Sequence, residues 1–317
     1  MTRMEIEAFL AIIKYGSITA AAGKLYVTQP ALSRRIRAVE EELGYELIVR
    51  NKGVRTVCLT EEGKAFVAVA EKFCYLYQEA SAICNRNQKP VLNVSSVGSV
   101  STYLLPEVLH SFLGSKVYNL CFHNYHSFEA YSYVESGMID IALISDDMYS
   151  KKVMTVPAFQ EPFVLLGGEG WKGADSVHPT QLDPQNEIRL PWNPEYDAWH
   201  EKWFDETVYP NVNLDQMSLL EEFLVKENWA IVPLTVARRL KHKNLPVCTI
   251  KEGPDDRIIY YLISSNRKQE LVGHFLSLLH RELTSITGVK SLLSDNSEQT
   301  FSLMPQEMES DGSANRL

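Results

Sequence analysis

Cysteine is scarce in this chain of 317 residues, and its few copies are scattered. The cysteines are Cys58, Cys74, Cys84, Cys121 and Cys248, and no two of them form a C-x-x-C pair or a zinc-ligand spacing. The chain therefore lacks the cysteine pattern of a disulfide framework or of a structural zinc site. Separate reduced thiols are the expected state, and the alternative is a redox-sensing pair between Cys121 and Cys248.

Long apolar runs are also missing. No segment approaches the ~20 consecutive apolar residues of a membrane span, and the N-terminal residues lack the apolar core of a signal peptide. We therefore expect a cytoplasmic protein that does not have a membrane as a partner.

An overall basic surplus is missing as well, because the net charge is −9. The charge is uneven: residues 1–60 hold nine Lys or Arg against six Asp or Glu, a net charge of +3, and the remainder has a net charge of −12. A basic head on an acidic body is typical of a DNA-reading module joined to a different domain. The chain length also predicts two or more domains.

Two short helices joined by a tight turn are predicted between residues 17 and 43. Ser17 and Thr28 are placed to cap the first and the second helix, and Pro30 fits the first turn of the second. The spacing along the second helix predicts a buried face made of Leu32, Ile36, Val39 and Leu43. The opposite face carries side chains that match the hydrogen-bonding groups of the major groove, namely Gln29, Pro30, Ser33, Arg34 and Arg37. This pattern predicts a helix-turn-helix, and the alternative is a solvated surface helix.

A β-hairpin is predicted to follow, with strands at 47–50 and 54–59 around a short turn. It would form the wing of a winged helix. Arg50, Lys52 and Arg55 would then be available for phosphates or the minor groove.

From Ala21 to Leu47 the chain reads Ala-Ala-x-Lys-Leu-x-Val-Thr-Gln-Pro-Ala-Leu-Ser-Arg-x-Ile-x-x-Val-Glu-x-x-Leu-Gly-x-x-Leu. This stretch resembles the N-terminal signature of the LysR-type transcriptional regulators. It departs from that signature at Val39, where the family usually has Leu, and at Ile48, where it usually has Phe; both remain apolar. With this resemblance, the expected DNA-binding residues are Ser17, Thr19, Thr28, Gln29, Pro30, Ser33, Arg34, Arg37, Arg50 and Lys52.

A long helix is predicted from about residue 61 to residue 87. Its apolar residues repeat at three- and four-residue steps, as in a coiled-coil seam: Phe66, Val69, Phe73, Leu76, Ala80 and Ile83. This favours pairing between two chains, and the alternative is a helix packed on its own domain. The resemblance implies a linker helix that dimerises the DNA-binding domains. Two recognition helices would then read an interrupted inverted repeat, about one turn (~34 Å) or a multiple apart.

Beyond a polar hinge at residues 87–90, short apolar strands alternate with helices, which predicts parallel sheets with helices on both faces. The resemblance implies a periplasmic-binding-protein-like (type II) effector domain of two α/β lobes, joined by strands that cross near Glu161–Leu165 and Arg257–Leu262. The predicted fold class is α/β with an N-terminal winged helix-turn-helix. The predicted domains are a winged helix-turn-helix at 1–60, a linker (dimerisation) helix at 61–89, an effector-binding domain at 90–288 with lobes at 90–162 plus 265–288 and at 163–264, and a disordered acidic tail at 289–317.

Ligands of such lobes bind beyond the C-terminal ends of strands, where loops lead into helix N-termini. That rule and the usual effector contacts of the family select Ser99, Ser101, Thr102, Ser127 and Trp192 as effector-binding residues. The alternatives are helix capping for the hydroxyl residues and core packing for the tryptophan. In the LysR-type family the turn before the strand at 230–233 is usually rich in glycine. Here Trp229 stands in that turn, and we expect it to narrow the cleft between the lobes.

The sequence therefore predicts a sequence-specific DNA-binding transcriptional regulator controlled by a small-molecule effector. Its implied partners are double-stranded promoter DNA, an effector, further copies of itself as a homodimer or dimer of dimers, and RNA polymerase. No catalytic residue, metal site or cofactor is expected, because no nucleophile elbow, phosphate loop or paired catalytic carboxylates are recognisable. A solute-binding protein is disfavoured because it has no use for residues 17–59. A ligand-independent or redox-modulated regulator of the same architecture remains as the alternative.

Overall fold

A computed structural model describes residues 1–49, 57–82, 89–114, 116–204, 209–240, 244–264 and 268–293. The chain divides into two compact units, Met1–Gln88 and Lys89–Leu317. Among the described residues no single helix is long and apolar enough to cross a membrane. Only the first two helices taken together meet that length and composition, across a bend of 118°.

The N-terminal unit is mainly helical and has one hydrophobic core. Its elements are α1 (Arg3–Tyr15), α2 (Ile18–Lys24), α3 (Gln29–Leu43), β1 (Ile48–Val49), β2 (Cys58–Leu59) and α4 (Glu61–Ala82). Strands β1 and β2 pair antiparallel, as expected for the base of a wing. Between them, residues 50–56 lie outside the described residues, and so do Arg50, Lys52 and Arg55 of the predicted wing.

Helix α4 presents apolar side chains in two directions. Phe66 is 4% exposed and its ring centre lies 5.3 Å from that of Phe9 on α1. Half-buried Phe73 packs against the same core, whereas Val69 and Leu76 are 53% and 48% exposed. The single predicted seam is therefore split between two faces, and one of them packs on the helix's own unit. The remaining predicted seam residues are Ala80, which is exposed, and Ile83, which lies outside the described residues.

The C-terminal unit consists of two α/β lobes. In chain order its elements are β3 (Val91–Ser96), α5 (Gly98–Tyr103), α6 (Leu105–Gly114), β4 (Asn119–His123), α7 (Ser127–Glu135), β5 (Ile141–Ile144), β6 (Met154–Glu161), β7 (Phe163–Gly167), β8 (Ser176–Val177), β9 (Ile188–Arg189), α8 (Pro194–Trp203), β10 (Val212–Asn213), α9 (Leu220–Phe223), β11 (Trp229–Pro233), α10 (Leu234–Arg239), β12 (Val247–Ile250), β13 (Arg257–Ile263), α11 (Gln269–Ser285) and β14 (Lys290–Ser291).

Each lobe has its own sheet and core. The first sheet has the strand order β14–β6–β13–β5–β3–β4, and the second has the order β11–β7–β12–β8. The short strands β9 and β10 pair with each other in parallel beside the second sheet. The chain passes from the first sheet to the second between β6 and β7, through Pro162 alone, and returns with β13.

The expectation of parallel sheets is confirmed for only part of each sheet, because both sheets are mixed. Strand β3 is parallel to β4 and β5, but β13 runs antiparallel to β5 and β6, and β7 runs antiparallel to β11 and β12. Strands β6 and β12, which contribute to these antiparallel pairs, were not predicted. Their side chains are buried in only part of each strand, so their apolar pattern is weak.

Two of the predicted boundaries need correction. The second lobe was expected to extend to residue 264, but β13 belongs to the sheet of the first lobe, so the second lobe ends before Arg257. The disordered tail was expected from residue 289, but Lys290 and Ser291 pair with Gln160 and Phe159 of β6. Without β14, β6 would be the edge strand of the sheet and its outer backbone groups would be unpaired. The pairing with Lys290 and Ser291 satisfies those groups. Residues 294–317 lie outside the described residues.

Candidate DNA-binding surface and inter-lobe site

Hydroxyl caps set the start of both helices in the predicted helix-turn-helix. The Ser17 Oγ accepts a hydrogen bond from the backbone N–H of Ala20 at 3.1 Å. The Thr28 Oγ1 accepts one from the N–H of Ala31 at 3.3 Å. Pro30 lies in the first turn of α3, where its missing N–H leaves no hydrogen bond unmade. The caps thus fix the direction in which α3 leaves the turn.

Helix α3 has one buried face and one exposed face, as its sequence predicts. The buried side chains are Leu32, Ile36 and Val39, whereas Leu43 is only half-buried. The predicted DNA-binding residues on this helix lie outside the core: Gln29, Pro30, Arg34 and Arg37 are exposed, and Ser33 is half-buried. Thr19 on α2 is exposed as well. The polar face of α3 is therefore open to a ligand as large as duplex DNA.

Tyr26, in the turn before α3, is an exposed residue that the sequence reasoning passed over. Its side chain is 96% exposed and its backbone has a φ of +55°, in the left-handed region. Leu25 and Val27 on either side pack against the core. Because both neighbours point into the core, the side chain between them in this tight turn points to solvent. This in–out–in alternation was the available signal for the exposure of Tyr26. Tyr26 lies three residues before Gln29, the first residue of α3.

A buried ion pair joins the two crossing strands of the C-terminal unit. Arg257 on β13 and Glu161 on β6 are directly opposed partners in the sheet, and they are 1% and 0% exposed. The Glu161 Oε1 accepts hydrogen bonds from the Arg257 Nη2 at 2.8 Å and from its Nε at 3.2 Å. An ion pair buried this completely is stable only when both charged groups are well hydrogen-bonded.

Groups from both lobes complete the hydrogen bonds of this pair. The Ser99 Oγ, on α5 of the first lobe, accepts from the Arg257 Nη1 at 2.9 Å. The second carboxylate oxygen of Glu161 accepts from the N–H of Thr235, on α10 of the second lobe, at 2.8 Å. The guanidinium carbon lies 5.4 Å from the ring centre of Trp192. We call these five residues the Arg257 cluster.

Among the predicted effector-binding residues, Ser99 and Trp192 meet in the Arg257 cluster. The indole N–H of Trp192 donates to the carbonyl oxygen of Ile231 at 2.9 Å, so this side chain is also a packed core residue of the second lobe.

The other three predicted effector residues make local contacts. The Ser101 Oγ donates to the carbonyl oxygen of Gly98 at 2.9 Å, and Thr102 is half-buried on the same helix. The Ser127 Oγ donates to the Asp146 Oδ2 at 2.8 Å. Neither of these two hydrogen bonds involves the Arg257 cluster, so the described contacts join only part of the predicted site.

Two buried hydroxyls in this unit have no hydrogen-bond partner among the described residues. They are the Ser95 Oγ on β3 and the Oγ1 of Thr235, within the Arg257 cluster. A buried hydroxyl without a partner is costly. Such groups are expected where a bound molecule completes the hydrogen bonding.

Trp229 does not narrow the cleft, and that expectation is corrected. Its side chain is fully buried in the core of the second lobe. The indole N–H donates to the carbonyl oxygen of Asp183 at 3.0 Å, and the ring packs on Phe204 at 5.7 Å between centres. As the first residue of β11, opposite Gly167, its position is fixed by the strand pairing rather than by the turn before it.

The two cysteines considered as a redox pair lie on strands of different sheets. Cys121 is an exposed free thiol on β4, and Cys248 is a buried free thiol on β12. Burial raises the pKa of the Cys248 thiol, so its reactive thiolate form is disfavoured. This geometry gives no support to a redox pair between them.

Comparison with known proteins matches both units. A family model described as "Bacterial regulatory helix-turn-helix protein, lysR family" matches residues 4–64, and one described as "LysR substrate binding domain" matches residues 85–284. The chain belongs to the LysR family. As expected from the sequence, this is a family of regulators rather than of enzymes.

Individual LysR-family relatives are similar over part of their length. The chain is 29% identical over 139 residues to the HTH-type transcriptional regulator CysB of Haemophilus influenzae, across 42% of each chain. It is 35% identical over 112 residues to the regulator BenM of Acinetobacter baylyi, across 35% of this chain and 36% of BenM. The matched segments thus span less than half the length of these relatives.

The fold extends over nearly the whole of a LysR-family structure. Full-length CbnR, solved in complex with its target DNA, superposes with a TM-score of 0.65 at 19% identity, covering 89% of this chain and all of CbnR. The mixed α/β architecture with an N-terminal helix-turn-helix is therefore that of a complete LysR-type regulator.

Proposed function

We propose that this protein is a transcriptional regulator that binds an interrupted inverted repeat in promoter DNA and responds to a small molecule bound between its C-terminal lobes. The observation that carries the proposal is the exposed polar face of α3, held by a buried apolar face and a capped turn. A recognition helix needs this arrangement, because the core fixes the helix while its outer side chains enter the major groove.

Base reading falls to the exposed side chains at the start of α3. Arg34 and Arg37 can each present a fork of donors to guanine, and Gln29 can pair with adenine. Ser17, Thr19, Thr28, Pro30 and Ser33 surround them and would contact the sugar–phosphate backbone or fill the groove. The wing residues Arg50 and Lys52 carry the charge that suits phosphates.

Pairing of two copies would set the spacing of the half-sites. The exposed Val69 and Leu76 of α4 are seven residues apart and so lie on one side of the helix, where a second α4 can cover them. Such a homodimer places two α3 helices about one turn of DNA (~34 Å) or a multiple apart. A dimer of dimers and contact with RNA polymerase would extend the assembly at a promoter.

The effector would bind at the lobe junction, against Ser99, Ser101, Thr102, Ser127 and Trp192. Two observations support this location for the effector site. Ser99 and Trp192 both contact the buried Arg257, and the hydroxyl of Thr235 has no hydrogen-bond partner among the described residues. Since the Arg257 cluster joins the lobes, a ligand that exchanges hydrogen bonds with it would favour one lobe arrangement over another. Only such a difference in affinity can shift the conformational equilibrium.

Selection from a random duplex pool tests the proposed function. Purified full-length protein is expected to enrich duplexes with an inverted repeat, and the Arg34→Ala variant is expected to lose enrichment at one base pair of each half-site. Recovery of sequences without two-fold symmetry, or no enrichment at all, would refute the proposal.

A further inference from the structure

A concave site lies in the second lobe. It is a pocket of about 380 Å³, within the size range of small-molecule sites. We call it the Trp171 pocket. Its apolar lining is the half-buried Trp171, the buried Val177 and the fully buried Trp229, and its charged side chains are Lys172, Asp183 and Glu227.

Glycines hold the wall of this pocket in place. The Trp171 side chain lies so close to Gly167 and Gly173 that a Cβ at either glycine would fall 2.4 Å or 2.3 Å from an indole atom. The loop is further fixed by the N–H groups of Gly168 and Gly170, which donate to the carbonyl oxygens of Asn228 and Lys226 at 2.7 Å each. The wall is therefore preformed, which lowers the entropic cost of binding.

The charges around the pocket favour a cation. Two carboxylates face one ammonium, so the net charge of the lining is −1. The Asp183 carboxylate already accepts from the N–H of Gln185 at 3.0 Å and from the Asn186 Nδ2 at 3.3 Å. Both carboxylates are exposed, and because that of Asp183 already accepts these two hydrogen bonds, we assign Glu227 as the anion that meets the ligand. Aromatic walls combined with a carboxylate suit a flat ring that carries an ammonium group.

We propose that the Trp171 pocket binds small aromatic or heteroaromatic amines, with the ring against Trp171 and the ammonium group at Glu227. This site is separate from the Arg257 cluster, where Trp192 is the tryptophan, and it does not depend on the proposed function of that cluster or on DNA binding. A free amine and the amine of an amino acid share this chemistry.

The five tryptophans of the chain make the test specific. Full-length protein labelled with 5-fluorotryptophan, without DNA, is titrated with tryptamine, and each fluorine resonance is assigned with a single Trp→Phe variant. Tryptamine is expected to shift the resonances of Trp171 and Trp229 saturably and to leave that of Trp192 unchanged. Tryptophan tests the amino-acid form, and indole-3-acetate tests the ring without an ammonium group.

Matched glutamate variants test the charge recognition. Glu227→Gln is expected to weaken tryptamine binding about two- to fivefold, as for an exposed ion pair. Glu222→Gln, an exposed glutamate of α9 that does not line the pocket, is expected to leave it unchanged.

Three results would overturn the proposal. The first is a shift at Trp192 alone, which assigns the ligand to the lobe junction. The second is no saturable shift up to the solubility limit of tryptamine. The third is a failure of ammonium recognition, shown either by binding of indole-3-acetate as tight as that of tryptamine or by equal losses in the two glutamate variants.

Discussion

At the scale of single residues, Arg34 and Arg257 carry the same guanidinium group in opposite environments, one exposed and one buried. Arg34 is exposed on the outer face of α3. Arg257 is 1% exposed and has its donors engaged by Glu161 and Ser99. A guanidinium reads a base with its own fork of donors, so an exposed one suits recognition. The buried one instead holds the crossing strands and both lobes together.

Replacing Arg34 by alanine is expected to relax discrimination at one position of each half-site. The loss should be about 1–3 kcal/mol at that base pair, as for a bidentate guanine contact. Fluorescence-anisotropy titrations against a set of single-base operator variants measure it. Arg239→Ala, in the C-terminal unit, is the control and should leave DNA affinity unchanged. Equal losses against every operator variant would contradict base reading by Arg34.

Replacing Arg257 by methionine is expected to destabilise the C-terminal unit strongly. The change leaves Glu161 buried without its cation, which costs about 3–5 kcal/mol. Urea unfolding followed by tryptophan fluorescence measures the loss. Arg239→Met is the matched control, because Arg239 pairs with Glu107 at 2.8 Å on the surface, and such a pair is worth about 0–1 kcal/mol.

A second substitution separates lost charge pairing from lost packing. Adding Glu161→Gln to Arg257→Met removes the uncompensated carboxylate, so part of the stability should return. If Arg257→Met costs no more than the surface control, the pair does not hold the lobe junction.

Sequence reasoning reached part of the inter-lobe site and stopped for a physical reason. Ser99 and Trp192 follow from the rule that ligands bind beyond strand ends. Their meeting point could not be predicted, because Ser99 and Arg257 are 158 positions apart and only the crossing of β6 and β13 brings them together. Tyr26 was passed over because its left-handed backbone has no local sequence signal, and its alternation with the inward-facing Leu25 and Val27 was not used.

At the scale of secondary structure, helix α4 has two apolar faces in different environments. One face completes the core of the N-terminal unit through Phe66 and Phe73. The other leaves Val69 and Leu76 exposed. Exposed apolar side chains that recur on one side of a long helix favour pairing with a second helix.

Introducing a glutamate at Leu76 is expected to weaken dimerisation without unfolding the N-terminal unit. A charge placed in the paired face should raise the dimer dissociation constant by about tenfold or more. Sedimentation velocity measures the association, and circular dichroism checks the fold. Ala68→Glu is the matched control, because Ala68 is exposed about 100° around the helix from Val69. Equal effects of the two variants would show that the Leu76 side is not the paired face.

Helices were more predictable from this sequence than strands. The starts of α2 and α3 follow from Ser17 and Thr28, whose caps are local. Strand direction depends on which distant segment pairs with which, so the alternation of strands and helices predicted the parallel pairs but not the antiparallel ones. The antiparallel pairing of β13 with β6, and the addition of β14 at the sheet edge, are tertiary events with no short-range signal.

At the scale of the whole molecule, the charge distribution confines the proposed DNA contact to one end of the sequence. Residues 1–60 carry a net charge of +3 and the rest of the chain carries −12. An acidic body repels the phosphate backbone and so disfavours non-specific wrapping. In the proposed regulation, effector binding in the C-terminal unit and DNA binding in the N-terminal unit would bias one shared conformational equilibrium, in the same or in opposite directions.

The most direct measurement compares two duplexes at physiological salt: an inverted repeat recovered by selection, and a duplex of the same composition in shuffled order. Purified full-length protein should bind the repeat about 10³-fold or more tightly, as specific regulators do. Equal affinity for the two duplexes would contradict the assignment of α3 as a recognition helix.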